Sequence, residues 1–135
     1  MLILGCNCIG HLGAGLMQLN RTGDDTSGTD WERTKKMGVN TLAFRMPHHG
    51  AFFGVDADCV GITEHISWEK NRQWMELLSA SRTPFFVSVK SGTLNKEQEE
   101  ELRSAYRRAA ENGRSSIPLD WKENRVPRKW LTCEG

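Results

Sequence analysis

The chain has 135 residues, 38% of them apolar and 26% charged. That balance fits one globular domain and excludes a disordered or membrane-spanning chain. Eighteen basic residues against 17 acidic ones leave a net charge of +1, so neither nucleic acid nor an anionic membrane is expected as a partner.

Leu2-Ile3-Leu4-Gly5-Cys6 is a short apolar run ended by Asn7, and it reads as a strand buried on both faces. Residues 1–6 are too short for a secretory signal and have no basic start. The compartment stays open: secreted or periplasmic if the parent gene carries an upstream signal. Gly10, Gly13 and Gly15 mark a loop. Met17 to Arg21 reads as a second strand, followed by the polar loop Thr22 to Gly28. A helix is expected from Asp30 to about Met46, stopped by Pro47, because a residue before proline disfavours the α conformation.

Ala51 to Val55 reads as a third strand, ending at Asp56-Ala57-Asp58. Ser67 is placed to cap a helix that runs to Ala80, with Trp74, Leu77 and Leu78 on its apolar face. Phe85 to Val89 is the clearest strand. Asn95 and Gln98 have capping-box spacing. Leu102, Ala105, Tyr106 and Ala109 then mark the buried stripe of a last helix, which Asn112-Gly113 is expected to close. Ile117 to Gly135 has no regular period and reads as an irregular tail packed on the rest. Strands alternating with helices imply an α/β fold with parallel strands: either a small doubly wound sheet or half of an eight-stranded barrel.

In both architectures the active residues lie at the C-terminal ends of strands. Those ends carry Cys6 and Asn7; Arg21 with Asp24 and Asp25; Asp56 and Asp58; and Ser88 with Lys90. Polar groups recurring after apolar runs point to a pocket. Several carboxylates beside an arginine suit sugar chemistry, where one carboxylic acid protonates the leaving oxygen and a second carboxylate acts as nucleophile or base.

Asp56-Ala57-Asp58 also forms a D-x-D triplet, which would put two carboxylates on one ion in a metal-dependent transferase. The spacings of His11, His48, His49 and His65 match no ligand pattern, so surface or structural roles are expected for them and no metal site is assigned. No dinucleotide fingerprint, phosphate loop or serine elbow occurs, and no cofactor is expected. The four cysteines (Cys6, Cys8, Cys59 and Cys133) lack the C-x2-C pairing of a zinc site and read as free buried thiols.

Arg21-Thr22-Gly23-Asp24-Asp25-Thr26 resembles the loop after the sixth barrel strand of glycoside hydrolase families 27 and 36, the α-galactosidase-like enzymes. There an arginine precedes the acid/base aspartate by four residues, which implies Asp25. A second family pattern, serine-aspartate-x-threonine, would place the role on Asp24; Asp25 is preferred and Asp24 is the alternate. Phe53 to Val60, with Asp56 and Asp58, is similar to the seventh-strand string of the family, although Val55 and Ala57 replace its asparagine and proline. Ser81 to Ser88 resembles the eighth strand, and Cys6-Asn7 the close of the fifth.

The ordered set spans residues 2–110. It implies that residues 1–115 are strands five to eight of a (β/α)8 barrel, the C-terminal half, followed by a tail over 116–135. The implied activity is retaining hydrolysis of α-galactosides or related α-glycosides, with Arg21, Cys6, Asn7, Asp56 and Asp58 lining the sugar site. The family's nucleophile, an aspartate after a lysine on the fourth strand, has no counterpart in this chain. The isolated chain is therefore expected to be catalytically incomplete. Its implied partners are a carbohydrate and either an N-terminal half-barrel or a second copy joined through exposed sheet edges. A non-catalytic carbohydrate-binding or assembly module is the competing reading, and the D-x-D transferase a lesser one.

Overall fold

In the computed structural model, which describes residues 1–132, the chain is mixed α/β, with the alternation of strands and helices expected from the sequence. Cys133, the fourth cysteine, lies outside the described residues. Strands β1 (Leu4–Cys6), β2 (Leu19–Arg21) and β3 (Gly54–Asp56) form one parallel sheet in that order. The register aligns Cys6 with Arg21 and Arg21 with Asp56, so three polar strand ends form one row. Strands β4 (Val60–Ile62) and β5 (Val87–Val89) form a second parallel pair. The strands do not close into a barrel.

Three residues separate β3 from β4. Among them Asp58 has a φ of 69°, a left-handed conformation that interrupts the extended chain. The third expected strand is thus shifted: Ala51 and Phe52 lie in a turn, and the strand begins at Gly54. β4 falls in a stretch where the sequence reading has no strand, because Val60-Gly61-Ile62 is only three residues long with a glycine at its centre.

The helix after β2 starts with Asp30, whose side chain accepts a hydrogen bond from Glu32 N–H. It runs through α1 (Trp31–Thr34), a π-helical turn (Lys35–Val39) and α2 (Asn40–Arg45), then a 3-10 turn containing Pro47. Gly38 sits in the π turn because Trp74 packs against it; a Cβ there would lie 2.8 Å from the indole ring. Helix α3 (Trp68–Ala80) has Ser67 at its N-cap position, but the serine side chain makes no capping bond, contrary to expectation. The helix opens on the Ser67 carbonyl, which accepts from the Lys70 and Asn71 N–H groups.

Helix α4 (Lys96–Ala110) carries the expected capping box, Asn95 with Gln98. Its end is set by Glu111 in an extended conformation rather than by a left-handed Gly113. Trp74, Met75 and Leu78 of α3, Leu42 of α2, Val60 and Ile62 of β4 and Ala105 of α4 share one buried core.

Three expectations about burial and order are corrected. β1 is exposed rather than covered: Leu2 and Leu4 are 68% and 50% accessible, since no element packs on its outer edge. Cys6 and Cys8 are exposed free thiols and Cys59 is half-buried. The tail is not irregular throughout. Ile117–Pro118 (β6) pairs antiparallel with Trp130–Leu131 (β7). Asp120 ties the intervening loop by accepting from Arg128 N–H, Lys129 N–H and Asn124 Nδ2. Trp130 packs against the core as expected of the tail, whereas Trp121 meets Phe44 edge-on and stays largely exposed.

Candidate functional site

The row formed by Cys6, Arg21 and Asp56 brings the strand ends together. Arg21 lies at its centre. Its Nη1 meets Asp25 Oδ1 at 2.7 Å and Asp58 Oδ1 at 3.4 Å, and its Nη2 meets Cys6 Sγ at 2.9 Å. The guanidinium is held more firmly charged than usual, by the hydrogen bond to Cys6 first, with burial opposing and the charges of Asp25 and Asp58 adding to it. Arg21 Nε is buried and has no hydrogen-bond partner.

Asp58 is the anchored carboxylate. Its side chain is 13% exposed, and Oδ2 accepts from Thr26 N–H at 2.6 Å and from Thr26 Oγ1 at 2.8 Å. Burial acts to raise its pKa, but the bonds from Thr26 and the Cys59 N–H, with the charge of Arg21, outweigh burial and leave it below the ordinary carboxylate value. These bonds also hold Asp58 in its left-handed backbone conformation. Asp56 is 3% exposed, and its Oδ1 accepts from Asp58 N–H. Burial pushes its pKa up, and the Asp58 N–H opposes that only in part.

Asp24 and Asp25 are neighbours with different partners. Asp25 points to Arg21 and is 61% exposed. Asp24 turns away to Arg33 Nη2 at 2.9 Å and accepts the Asp25 N–H through Oδ1. Those two contacts, the N–H first, hold Asp24 below its ordinary pKa. Arg33 also donates from Nε to the Asp25 carbonyl, so it clamps the loop from outside. Asn7 is next to the row but contributes backbone: its φ is 52° and its N–H donates to the Arg21 carbonyl. At the end of the β4–β5 pair, Lys90 Nζ is paired with Glu64.

Of the residues singled out in the sequence, Cys6, Arg21, Asp25, Asp56 and Asp58 converge, whereas Asp24 and the Asn7 side chain do not join them. Thr26 and Arg33 were not singled out. Thr26 follows directly on the aspartate pair, a position that the family patterns also fill with threonine. Arg33 lies in the helix that packs back on the loop, which no local motif discloses. The D-x-D pair is committed to the protein's own groups: both oxygens of Asp58 are occupied, and Asp56 is used by the Asp58 backbone. No group of three or more His, Cys, Asp or Glu side chains suited to a metal occurs among the described residues. His49 is structural: its Nδ1 accepts from Val55 N–H, and burial lowers its pKa, opposed by a bond to the Arg82 carbonyl.

The cluster opens to solvent through Asp25 and Cys6. A hollow of about 1330 Å3 lies elsewhere, between α1, α3 and the tail, lined by Trp31, Trp74 and Trp130 among others; it contains none of the strand-end carboxylates. No helix is long and apolar enough to cross a membrane among the described residues. No known family model matches the chain, and no curated protein matches it.

Proposed function

We propose that this chain is the C-terminal half of a (β/α)8 barrel of the α-galactosidase-like glycoside hydrolases, families 27 and 36, acting on α-galactosides or related α-glycosides. The observation that carries the reading is the Arg21 fork. Four residues after the strand end, an exposed carboxylate, Asp25, is paired to a guanidinium that also holds the buried Asp58. The sequential order of β1, β2 and β3, and the single core shared by α2, α3 and α4, suit one wall of a singly wound barrel better than a sheet covered on both faces.

In this reading Asp25 is the general acid/base. It protonates the leaving oxygen, then takes a proton from the water that completes hydrolysis. Arg21 positions Asp25 through Nη1. Asp58, fixed by Thr26, holds the Arg21 fork in place, and Cys6 and Asp56 line the floor. Asp24 positions the loop through Arg33. A retaining mechanism needs a nucleophilic carboxylate about 5 Å from the acid/base, and that group lies outside this chain.

The test is hydrolysis of an aryl α-galactoside by the chain and by Asp25→Asn, with galactose binding followed by calorimetry. Turnover that vanishes in the variant supports the acid/base role and places a second carboxylate within reach. Galactose binding that ignores the variant, with no turnover, favours a carbohydrate-binding module. Folded protein that neither binds galactose nor hydrolyses the substrate sinks both readings.

A further inference from the structure

We infer that the hollow between α1, α3 and the tail is a binding site for a phosphate monoester carried on a ring, the chemistry shared by a nucleotide and a sugar phosphate. The site is separate from the strand-end carboxylates and does not depend on the function proposed above. It gives the tail a role. The loop between β6 and β7 is tied down at two points. Asp120 accepts from the Arg128 and Lys129 N–H groups, and the Arg125 carbonyl accepts from Asn40 Nδ2 of α2. The indole N–H of Trp130 donates to the Pro127 carbonyl at 3.1 Å, which fixes the ring against its own loop. Arg128 and Trp130 are thus both held on the wall of the hollow.

The charges on that wall do not balance. Lys35, Arg82, Arg108 and Arg128 border the hollow, against Glu76 and Glu111. Glu111 lies 3.7 Å from Arg82, and Glu76 lies 3.9 Å from Arg72 of its own helix. Lys35 is paired with Glu32 at 2.7 Å. Arg108 and Arg128 have no carboxylate within 4.0 Å among the described residues. Arg108 also borders a smaller groove on α4, but Glu100 there is taken by Arg107. Arg82 braces the end of α4 near Arg108: its side chain is 12% exposed, its φ is 62°, and its Nη1 donates to the Arg108 carbonyl.

Two guanidinium groups without an internal partner match the charge of about −1.5 to −2 that a phosphate monoester carries at pH 7, and the arginine fork suits its oxygens. A single carboxylate would leave one of them uncompensated. The ring follows from the tryptophans. Trp31, in the first turn of α1, and Trp130 are half-buried and border the same hollow. Indole surface takes the flat face of a base or the C–H face of a sugar. The volume of about 1330 Å3 exceeds the roughly 300–1,000 Å3 of pockets that enclose a small molecule, so a ring and its phosphate fit together.

The experiment is calorimetry on the full chain with adenosine 5′-monophosphate, glucose 6-phosphate and inorganic phosphate, and circular dichroism as the check on folding. At least one of the two esters is expected to bind once per chain and more tightly than inorganic phosphate. The tighter ester identifies the source, nucleotide or sugar phosphate. Arg108→Gln and Arg128→Gln are each expected to weaken that binding about tenfold, the loss of one charge-assisted hydrogen bond. Trp31→Leu is expected to weaken the ester and to leave inorganic phosphate as it was. Folded protein that binds neither ester overturns the inference. So does inorganic phosphate that binds as tightly as both esters, or ester binding indifferent to both arginine variants. Ester binding that Arg21→Lys abolishes and Arg128→Gln spares belongs to the strand ends, and overturns it too.

Discussion

Gly28 and Gly61 touch backbone to backbone: a Cβ on Gly61 would lie 2.5 Å from the Gly28 Cα, and one on Gly28 would lie 2.9 Å from the Gly61 Cα. The contact fastens the loop that bears Asp24, Asp25 and Thr26 onto β4, and the Thr63 hydroxyl donates to the Gly28 carbonyl beside it. Gly28 also has a φ of 69°, where a side chain is strained. Gly61→Ala is expected to cost about 1–3 kcal/mol, the usual range for overpacking. Denaturant melts check the loss, and a change below a few tenths of a kcal/mol would show that the loop moves aside freely.

Thr26 is the support on which Asp58 depends. Its hydroxyl donates to the carboxylate and lies 3.0 Å from the Cys59 carbonyl, and the residue is fully buried. Thr26→Val keeps the shape and removes the hydroxyl, for an expected loss of about 1–3 kcal/mol. Thr26→Ser is expected to restore most of it. If the two variants melt alike, the hydroxyl is not what holds Asp58.

Asp56 and Asp58 pull the acid side of the stability curve in opposite directions. The folded pKa of Asp58 is below its unfolded value; its contribution is present above the unfolded value, about 3.9, and is lost as pH falls through the folded one. The folded pKa of Asp56 is raised; its contribution is complete below about 3.9 and is lost as pH rises through the folded value. Asp56→Asn keeps an oxygen for the Asp58 N–H and removes the charge. It is expected to raise the melting temperature at pH 7 more than at pH 3. A variant that lowers the melting temperature equally at both would overturn this assignment.

Arg21→Lys separates charge from geometry. A lysine keeps the positive charge but not the fork that reaches Asp25, Asp58 and Cys6 together. Galactose binding is expected to weaken by about tenfold, the 1.4 kcal/mol of one charge-assisted hydrogen bond. Calorimetry that finds unchanged affinity would remove Arg21 from the binding site.

The strand ends were legible in the sequence because a charged residue closing a short extended stretch reads as an outlet from a strand: Arg21 at the end of residues 17–21, Asp56 directly after Val55. The capping box at Asn95 was legible for the same local reason. What escaped depends on distant contacts. Val60-Gly61-Ile62 is a strand because Val87 to Val89 lies beside it. Trp130-Leu131 pairs with Ile117-Pro118 across a loop that Asp120 gathers, although a proline argues locally against a strand. β1 was misread because an apolar run does not disclose whether a neighbour covers it. That Asp24 pairs with Arg33 while Asp25 pairs with Arg21 depends on a residue that the fold brings back from a helix whose own pattern says nothing about the loop.

The π turn at Lys35–Val39 carries a lesson about descent. Such a turn holds one residue more than an α turn does, so the helices on either side keep their faces while the segment between them is a residue longer. A chain that lost one residue within 35–39 would regain an ordinary helix with Trp31 and Leu42 still facing as they do. A loss elsewhere between Trp31 and Leu42 would rotate Leu42 by about 100° relative to Trp31 and pull it out of the core. Length variation among this protein's kin should therefore gather at this single turn.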